Sequence, residues 1–424
     1  MEKENSVSTK NGIAVHSYKN PNINSFYISL FVKAGSMYES AEENGITHFL
    51  EHALIRNVNS LMGDELYKTL DRCGMEFNAS TYSEMVQIYL FGAKERFRTG
   101  AEIICKTLCP LVLSSADINT ERERIKAEIR ESDDRTSLSS FAANIIHEGT
   151  SLSRPILGSL GSVGRIGKNR LEASRKSVFT KDNIFFYVTG NFTDEDISYL
   201  KECVGGCEIY IGENHSNLAP VPSNFGKRAP RVHIKNADFT MVRFNFDMDM
   251  EKIPYTSADL LYDVLLSGYN SRFFIEMSEK RGLFYDVTGS VEHYKNIGAF
   301  SFCYEVRGGS VYEAIESTLS ILSDLKETCL PEDGCMKAGY VDNGNLLYDD
   351  ARELNFTFAY DNHIMDNSYS SLEERSERYR RETPEQLRDA AREIFKPENL
   401  TLAIKGNKKK IDTARIDRLL KSWK

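Results

Sequence analysis

Long hydrophobic runs are missing from this chain of 424 residues. No uninterrupted apolar stretch approaches the roughly 20 residues that a helix needs to cross a bilayer, so we expect no membrane insertion. The first residues, Met1-Glu-Lys-Glu-Asn5, include acids where a signal or transit peptide carries only bases, and no apolar stretch follows them closely. These absences predict a cytoplasmic protein.

An excess of basic residues is also missing. The formal net charge is −9, whereas a surface that binds nucleic acid is positively charged. The basic run at residues 408–410 is short, and we interpret it as a solvated turn before the last helix. We therefore expect no nucleic-acid partner.

Closely spaced cysteine pairs are a third absence. The chain has eight cysteines, but Cys105 and Cys109, like Cys203 and Cys207, lack the CxxC spacing that structural zinc sites favour. We interpret them as free thiols, because a large hydrophobic core in a reducing compartment needs no disulfides. A zinc site built from these cysteines is the alternative.

The composition that remains is that of a globular protein with more than one domain. Hydrophobic residues make up 41% and charged residues 27% of the chain, which is the usual range. Its length exceeds what one hydrophobic core usually serves, so we favour two domains. A polar segment rich in proline ends at Pro230 and marks a linker. We place the domains at residues 1–215 and 231–424, with the linker at 216–230.

Local patterns predict similar elements in both halves. A strand at 25–33 precedes a helix that begins near Thr47, which we expect to cap it. The segments 72–91 and 281–302 both run from a glycine turn into a hairpin rich in tyrosine, threonine and valine. This repetition predicts an α+β fold of two related domains, each a mainly antiparallel sheet packed with helices.

The clearest chemical signal is the segment Gly45-Ile-Thr-His-Phe-Leu-Glu-His52. Residues i and i+4 of a helix share a face, so His48 and His52 can point ring nitrogens at one cation. Glu51 lies on the same face, where its carboxylate can hold a metal-bound water. The spacing His-x-x-Glu-His is the inverted zincin motif. The alternative is a surface helix whose two histidines merely titrate, but the flanking glycine and apolar residues favour a semi-buried site.

A third ligand must come from elsewhere in the chain, because a catalytic zinc ion usually keeps three protein ligands and one open position. We predict long helices at 97–113 and 117–133. The second of these offers four glutamates as candidates: Glu121, Glu123, Glu128 and Glu131. A charged helix face is the alternative interpretation of this pattern.

With this helix the chain resembles the pitrilysin or insulinase family of zinc metallopeptidases, in its short-chain bacterial or processing-peptidase-like form. The family motif Glu-Arg-x-x-Ile-x-x-Glu is present here as residues 121–128, at the matching distance from the histidines. The resemblance implies that Glu128 is the third ligand of one Zn²⁺ per chain. It also implies that Glu121 is an outer carboxylate that hydrogen-bonds a histidine ligand or tunes the zinc environment.

Two more segments carry the resemblance. Residues 74–84 match the family pattern Gly-x-x-x-Asn-Ala-x-Thr-x-x-Glu, which implies that Asn78 and Ala79 lie on an edge strand that pairs with the substrate backbone. Residues 266–285 resemble the pattern Gly-x-x-Ser-Arg-Leu-Phe followed by Arg-Gly-Leu-Ala-Tyr. The match implies that Arg281 and Tyr285 stabilise the developing oxyanion from the opposing half of the peptidase. The alternatives are an ordinary strand, a helix-end arginine and a tyrosine packed on the sheet.

The resemblance implies a zinc endopeptidase in which Glu51 accepts a proton from metal-activated water and then protonates the leaving amine. Chains of this length form half of a clamshell in the family, so a homodimer or a heterodimer with a related subunit would enclose the peptide substrate. Peptide turnover and removal of a leader from a precursor both fit. The rival is a non-catalytic peptide-binding or structural subunit. Residues 53–58 and the single Gly268 differ from the mitochondrial processing subgroup.

Overall fold

The computed structural model of the chain describes residues 3–132, 137–212, 215, 218–228 and 231–424. Its strands are β1 (Asn5–Ser8), β2 (Ala14–Lys19), β3 (Ser25–Val32), β4 (Glu76–Thr81), β5 (Val86–Ala93), β6 (Ile184–Gly190), β7 (Val232–Lys235), β8 (Thr240–Asp249), β9 (Val287–His293), β10 (Ile297–Val306) and β11 (Leu400–Lys405). Its helices are α1 (Ile46–Leu61), α2 (Leu66–Cys73), α3 (Phe97–Cys105), α4 (Ser115–Glu131), α5 (Leu138–Ile146), α6 (Leu160–Arg165), α7 (Lys168–Val178), α8 (Asp194–Gly205), α9 (Tyr255–Leu266), α10 (Val311–Glu327), α11 (Lys337–Asn345), α12 (Ala351–Ala359), α13 (Leu372–Arg380), α14 (Pro384–Ile394) and α15 (Thr413–Ser422). Residues 216, 217, 229 and 230 of the expected linker lie outside the described residues.

The first compact unit combines residues 1–132, 154–217 and 345–372. Its six-stranded sheet has the order β1-β2-β6-β3-β5-β4. The pair β2 and β6 is parallel, and every other neighbouring pair is antiparallel. The strand β4, which carries Asn78 and Ala79, therefore lies at one edge of this sheet.

The second compact unit combines residues 133–153, 218–344 and 373–424. Its five-stranded sheet has the order β7-β11-β8-β10-β9, with β7 and β11 parallel and the other pairs antiparallel. Counted from β2 and from β7, both sheets arrange their strands as first, fifth, second, fourth and third along the chain. The prediction of two related domains, each a mainly antiparallel sheet packed with helices, is confirmed.

Each sheet has a large hydrophobic core on one face and a smaller one on the other. In the first unit the smaller core is completed by α12, whose Leu354 and Phe358 are fully buried. In the second unit it is completed by α5, whose Leu138 and Ala142 are buried. Because α12 comes from the second half of the sequence and α5 from the first, each half supplies one covering helix to the other unit.

The predicted hairpins are present in both units. Each follows a glycine in the left-handed region, Gly74 with φ 61° and Gly282 with φ 59°, a conformation that glycine adopts without steric cost. The helix predicted at 97–113 is shorter: it ends at Cys105 and passes into a 3-10 turn at residues 106–108. Pro110 follows this turn and lacks the N–H that a continuing helix would need. Among the described residues, no helix is long and apolar enough to cross a membrane.

The helix α1 begins differently from the prediction. Its N-cap is Gly45, which makes no side-chain capping bond, so the expected cap at Thr47 is wrong. Gly45 has φ 93°, and a Cβ atom there would lie 2.7 Å from the carbonyl oxygen of Leu157 and 2.8 Å from the Cα atom of Gly158. A side chain cannot fit at that distance. The glycine therefore allows the segment around Gly158 to pack directly against the start of α1.

Candidate metal centre

The helix α1 carries three of the predicted site residues on one face. His48 and Glu51 are buried, at 6% and 8% exposure, and His52 is half-buried. The opposite face packs into the core of the first unit, where Phe49 and Ala53 are fully buried. This apolar anchoring fixes the orientation of α1 and hence the direction of the histidine side chains.

Glu128 on α4 faces both histidines. Its Oε2 atom lies 3.8 Å from Nε2 of His48 and 3.6 Å from Nε2 of His52. The ligand atoms of these three residues all lie within 4.8 Å of one another, and the described part of the chain contains no other group of three or more such side chains. Donor atoms on one tetrahedral zinc ion lie about 3.3–3.5 Å apart, given bonds of about 2.0–2.1 Å. The three side chains therefore fit a metal ion with little adjustment.

The protonation of His48 agrees with this fit. Burial, followed by repulsion from His52, lowers the pKa of His48 to about 3. The ring is therefore neutral at physiological pH, as a metal ligand must be. Its Nδ1 atom is buried without a hydrogen-bond partner among the described residues, so packing rather than a hydrogen bond sets the ring orientation.

Glu121 lies just outside the three ligands. Its Oε2 atom is 3.4 Å from Nδ1 of His52, and its Oε1 atom accepts hydrogen bonds from Arg56 (2.8 Å) and Arg124 (3.0 Å). Burial raises the pKa of Glu121, but the bonds from His52 and Arg56 outweigh burial and keep its pKa below the usual value. Glu121 is thus an anionic acceptor for His52. Such an acceptor fixes the tautomer that presents Nε2 to a metal.

Glu51 lies beside the ligands and has a different partner. Its carboxylate accepts a hydrogen bond from the Thr81 hydroxyl on β4. Burial raises the pKa of Glu51, which makes this carboxylate a better proton acceptor than an exposed one. Thr81 was not singled out by the sequence analysis, although it lies in the segment 74–84 that carries the family pattern.

Glu39 is a second residue that the sequence analysis missed. Its Oε2 atom accepts from the Gly45 amide (2.7 Å) and from the Asn44 side chain (3.0 Å), and its Oε1 atom accepts from the Thr47 amide (2.9 Å). These amides lie at the start of α1, where backbone N–H groups lack intrahelical acceptors. Glu39 therefore does what a capping side chain does, but from outside the helix. No local spacing pattern indicates such a contact.

A pocket of about 330 Å³ opens beside the candidate metal centre. Glu51, His52 and Glu121 line it on one side, and the exposed Asn78 of the edge strand β4 lines it on another. Ala79 is the next residue of β4, and it is buried. The predicted substrate strand and the predicted metal centre therefore share one pocket.

Arg281 and Tyr285 belong to the second unit. Arg281 follows a π-helical turn at Phe274–Glu279 and donates a hydrogen bond of 3.1 Å to the Ser317 hydroxyl. Tyr285 is 96% exposed. The zinc-binding group contains only residues of the first unit, and this pair is not part of it.

Two family models match the chain. The model described as Insulinase (Peptidase family M16) matches residues 14–159, and the model described as Peptidase M16 inactive domain matches residues 165–334. The chain therefore belongs to the pitrilysin/insulinase family of peptidases, M16. The first match contains the candidate metal centre, and the second contains Arg281 and Tyr285.

The relatives that the chain matches in sequence are described as zinc proteases. It is 27% identical over 309 residues to an uncharacterised zinc protease of Rickettsia felis, a match that covers 71% of this chain and 73% of that relative. It is 22% identical over 319 residues to the uncharacterised zinc protease YmxG of Bacillus subtilis, which covers 75% of this chain and 77% of YmxG.

The fold is shared with solved structures. A protease from Helicobacter pylori superposes with a TM-score of 0.82 at 17% identity and covers 96% of this chain and 100% of that one. The periplasmic protease PqqL from Escherichia coli superposes with a TM-score of 0.83 at 16% identity. All of this chain but only 50% of PqqL is covered, so the present fold corresponds to half of that protein.

Proposed function

We propose that this chain is a zinc-dependent endopeptidase with His48, His52 and Glu128 as metal ligands and Glu51 as the general base. One observation carries the proposal: two histidine Nε2 atoms lie within 3.8 Å of a single Glu128 oxygen. A buried carboxylate that is not part of the ligand group stands beside them. This is the combination that metal-assisted hydrolysis requires.

Each protein group has a defined task. A bound zinc ion would lower the pKa of a water molecule and polarise the scissile carbonyl. Glu51 takes the proton from that water and passes it to the leaving amine, and Thr81 holds the Glu51 carboxylate in place for both transfers. Glu121 orients His52 from behind.

The substrate class follows from the edge strand. A peptide that adds to the edge of β4 is held by main-chain hydrogen bonds, so its backbone must be extended and accessible. We infer that Asn78 and Ala79 form this docking edge and that short peptides or unfolded segments are the substrates. Folded proteins cannot present such a strand.

The complete site uses two chains in this proposal. The exposed Tyr285 and the half-exposed Arg281 offer a phenol and a guanidinium to a neighbour, and both groups stabilise an oxyanion well. PqqL, a single chain of twice the present length, supports an assembly of two such halves. We propose a homodimer in which the Arg281 and Tyr285 of one chain complete the zinc site of the other, with a heterodimer as the alternative arrangement.

The test is a peptide-hydrolysis assay on the full chain with a panel of extended peptides, together with metal analysis. Wild-type protein should hold one zinc per chain and lose its activity to a chelator. The double variant His48→Ala/His52→Ala should lose both the zinc and the activity. Zinc retained at full stoichiometry in this variant would contradict the site and would favour the cysteines as ligands.

The rival function is a non-catalytic peptide-binding or structural subunit. It predicts peptide binding without turnover across the whole panel, even with zinc bound. The buried Glu51 beside the ligands favours catalysis, because a carboxylate that only has to support a structure gains nothing from burial next to a metal.

A further inference from the structure

Four cysteines from distant parts of the sequence meet in the first unit. Cys105 ends α3 and Cys109 follows the adjoining 3-10 turn, while Cys203 lies near the end of α8 and Cys207 lies just beyond it. The helices α3 and α8 pack against each other. Their packing brings together two cysteine pairs whose spacing in the sequence had suggested only isolated free thiols.

The contacts within the group single out one pair. The thiol of Cys105 hydrogen-bonds to the sulfur of Cys203 across the interface between α3 and α8. The thiol of Cys207 points instead at backbone oxygens, 3.3 Å from that of Cys203 and 3.9 Å from that of Cys105. Cys105 and Cys203 are therefore the two sulfur atoms already placed against one another.

We propose that Cys105 and Cys203 are an oxidation site that forms a reversible disulfide between α3 and α8, with Cys203 as the sulfur that a hydroperoxide attacks first. Nothing in the peptidase proposal requires this pair. The inference stands independently of that proposal.

The two thiols suit these different roles. Cys203 is half-buried and within reach of a small oxidant, whereas Cys105 is buried behind it. The hydrogen bond from Cys105, helped by Tyr199, lowers the pKa of Cys203 to about 7. Its hydrogen bond to Cys203, followed by burial, raises the pKa of Cys105. The thiolate is the reactive form, so Cys203 is the nucleophile and Cys105 resolves the product.

The chemistry balances with hydrogen peroxide as the oxidant. The Cys203 thiolate attacks one peroxide oxygen; an S–O bond forms, the O–O bond breaks, and the released hydroxide takes up a proton to become water. Cys105 then attacks the sulfenic sulfur of Cys203. The S–S bond forms, the S–O bond breaks, and the hydroxide leaves as a second water with the Cys105 proton. A dithiol reductant reverses the oxidation by thiol–disulfide exchange.

A metal site is the other possible use of these thiols. It would require at least three sulfur atoms at mutual ligand distance. Within the described part of the chain, only His48, His52 and Glu128 meet that criterion. The arrangement of the cysteines therefore favours paired oxidation over metal binding.

The experiment treats the folded full-length protein with a modest excess of hydrogen peroxide at pH 7 and maps the products by peptide mass spectrometry without reduction. We expect a mass loss of two hydrogens and a cross-linked peptide that joins the segments containing Cys105 and Cys203, both reversed by dithiothreitol. The cross-link would close a loop of roughly 100 residues, so the oxidised protein should unfold several degrees higher than the reduced protein.

Variants separate the two roles. Cys105→Ser should leave a sulfenic acid on Cys203 that a dimedone probe traps, whereas Cys203→Ser should abolish both the cross-link and the trapping. Cys73→Ser, at the end of α2, is the matched control and should oxidise like the wild type. A bond between Cys203 and Cys207 would overturn the assignment, as would peroxide-treated wild-type protein that keeps all eight thiols.

Discussion

At the scale of single residues, the metal-binding helix depends on a carboxylate that is not part of it. Glu39 binds the amides of Gly45 and Thr47 and so satisfies donors at the N-terminus of α1. Negative charge at this end of a helix also interacts favourably with the helix dipole. Because His48 follows Thr47 directly, any loosening of this end moves a metal ligand.

We predict that Glu39→Gln weakens both the fold and the metal site. The amide loses the negative charge and one of the two acceptor oxygens, which removes about 1–3 kcal/mol from the free energy of unfolding. It should also lower zinc affinity by about tenfold or more. Glu43→Gln is the matched control, because Glu43 lies on the same loop but forms an exposed ion pair with Arg170; its effect should stay within about 0.5 kcal/mol.

Thermal unfolding and competition with a zinc chelator measure these two effects. Equal zinc affinities for the two variants would contradict the role given to Glu39.

At the scale of elements, the site depends on the alignment of α1 with α4. Arg56 of α1 donates to Asp117 and to Glu121 of α4, with distances of 2.8 Å to each carboxylate. Asp117 accepts as well from Ser114, the N-cap of α4. Hydrogen bonds from Ser114 and Arg56 lower the pKa of Asp117 to about 2. Arg56 thus fixes the register in which Glu128 faces the histidines.

We predict that Arg56→Met lowers zinc affinity and turnover together. Methionine keeps much of the apolar stem but removes every hydrogen bond to α4, and loss of a partner that orients a metal ligand costs about 10–100-fold in affinity or activity. Arg124→Met is the control: Arg124 also contacts Glu121, but it is mostly exposed and sits on α4 itself. If both variants bind zinc like the wild type, the two helices are aligned by apolar packing alone.

The same scale shows what the sequence could predict. The strands β4 and β5 and the helix α1 were predicted because alternation and helical spacing are local properties of the chain. The HxxEH spacing and the position of Glu128 placed the candidate ligands for the same reason, with the family resemblance choosing Glu128 among four glutamates. Glu39, Arg56 and Thr81 could not be found this way, because their contacts join segments that are distant in sequence. The cap at Thr47 was wrong because Glu39 supplies the capping oxygen.

At the scale of the whole molecule, the two halves of the sequence depend on each other for their cores. The helix α12 covers one face of the first sheet, where Asn355 donates to the Tyr187 carbonyl (3.0 Å) and accepts from the Ser29 hydroxyl (2.5 Å). The domain boundaries at 1–215 and 231–424 stay a prediction. We propose that they mark the repeat in the sequence, while each compact unit also takes one helix from the other half.

We predict that Phe358→Ala destabilises the first unit, although residue 358 lies in the second half of the chain. Phe358 is fully buried against that sheet, and truncation of a buried phenylalanine costs about 3–5 kcal/mol. Leu346→Ala, at a position 62% exposed in the same segment, should change stability by less than about 0.5 kcal/mol. Hydrogen exchange should show the loss of protection in β2, β3 and β6. Loss confined to β8, β10 and β11 would refute the exchange of helices.

The proposed homodimer makes a sharper prediction for the assembled molecule. Glu51→Gln and Arg281→Ala should each be nearly inactive, because one lacks the base and the other lacks a stabilising charge. After dissociation and reassociation of a mixture, activity should return: the intact zinc site of the Arg281→Ala chain meets the intact Arg281 of the Glu51→Gln chain. Subunit exchange without recovery would rule out the arrangement in trans. Failure to self-associate would indicate a separate partner chain.

The most direct measurement is zinc content and peptide turnover of Glu51→Gln beside the wild type. Glutamine is nearly isosteric with glutamate, and Glu51 lies outside the ligand group of His48, His52 and Glu128. We therefore predict one zinc per chain, as in the wild type, and turnover reduced by at least about a hundredfold, since a general base contributes about 10²–10⁴ to the rate. Wild-type turnover by a zinc-loaded, chelator-sensitive Glu51→Gln protein would contradict the proposed active site.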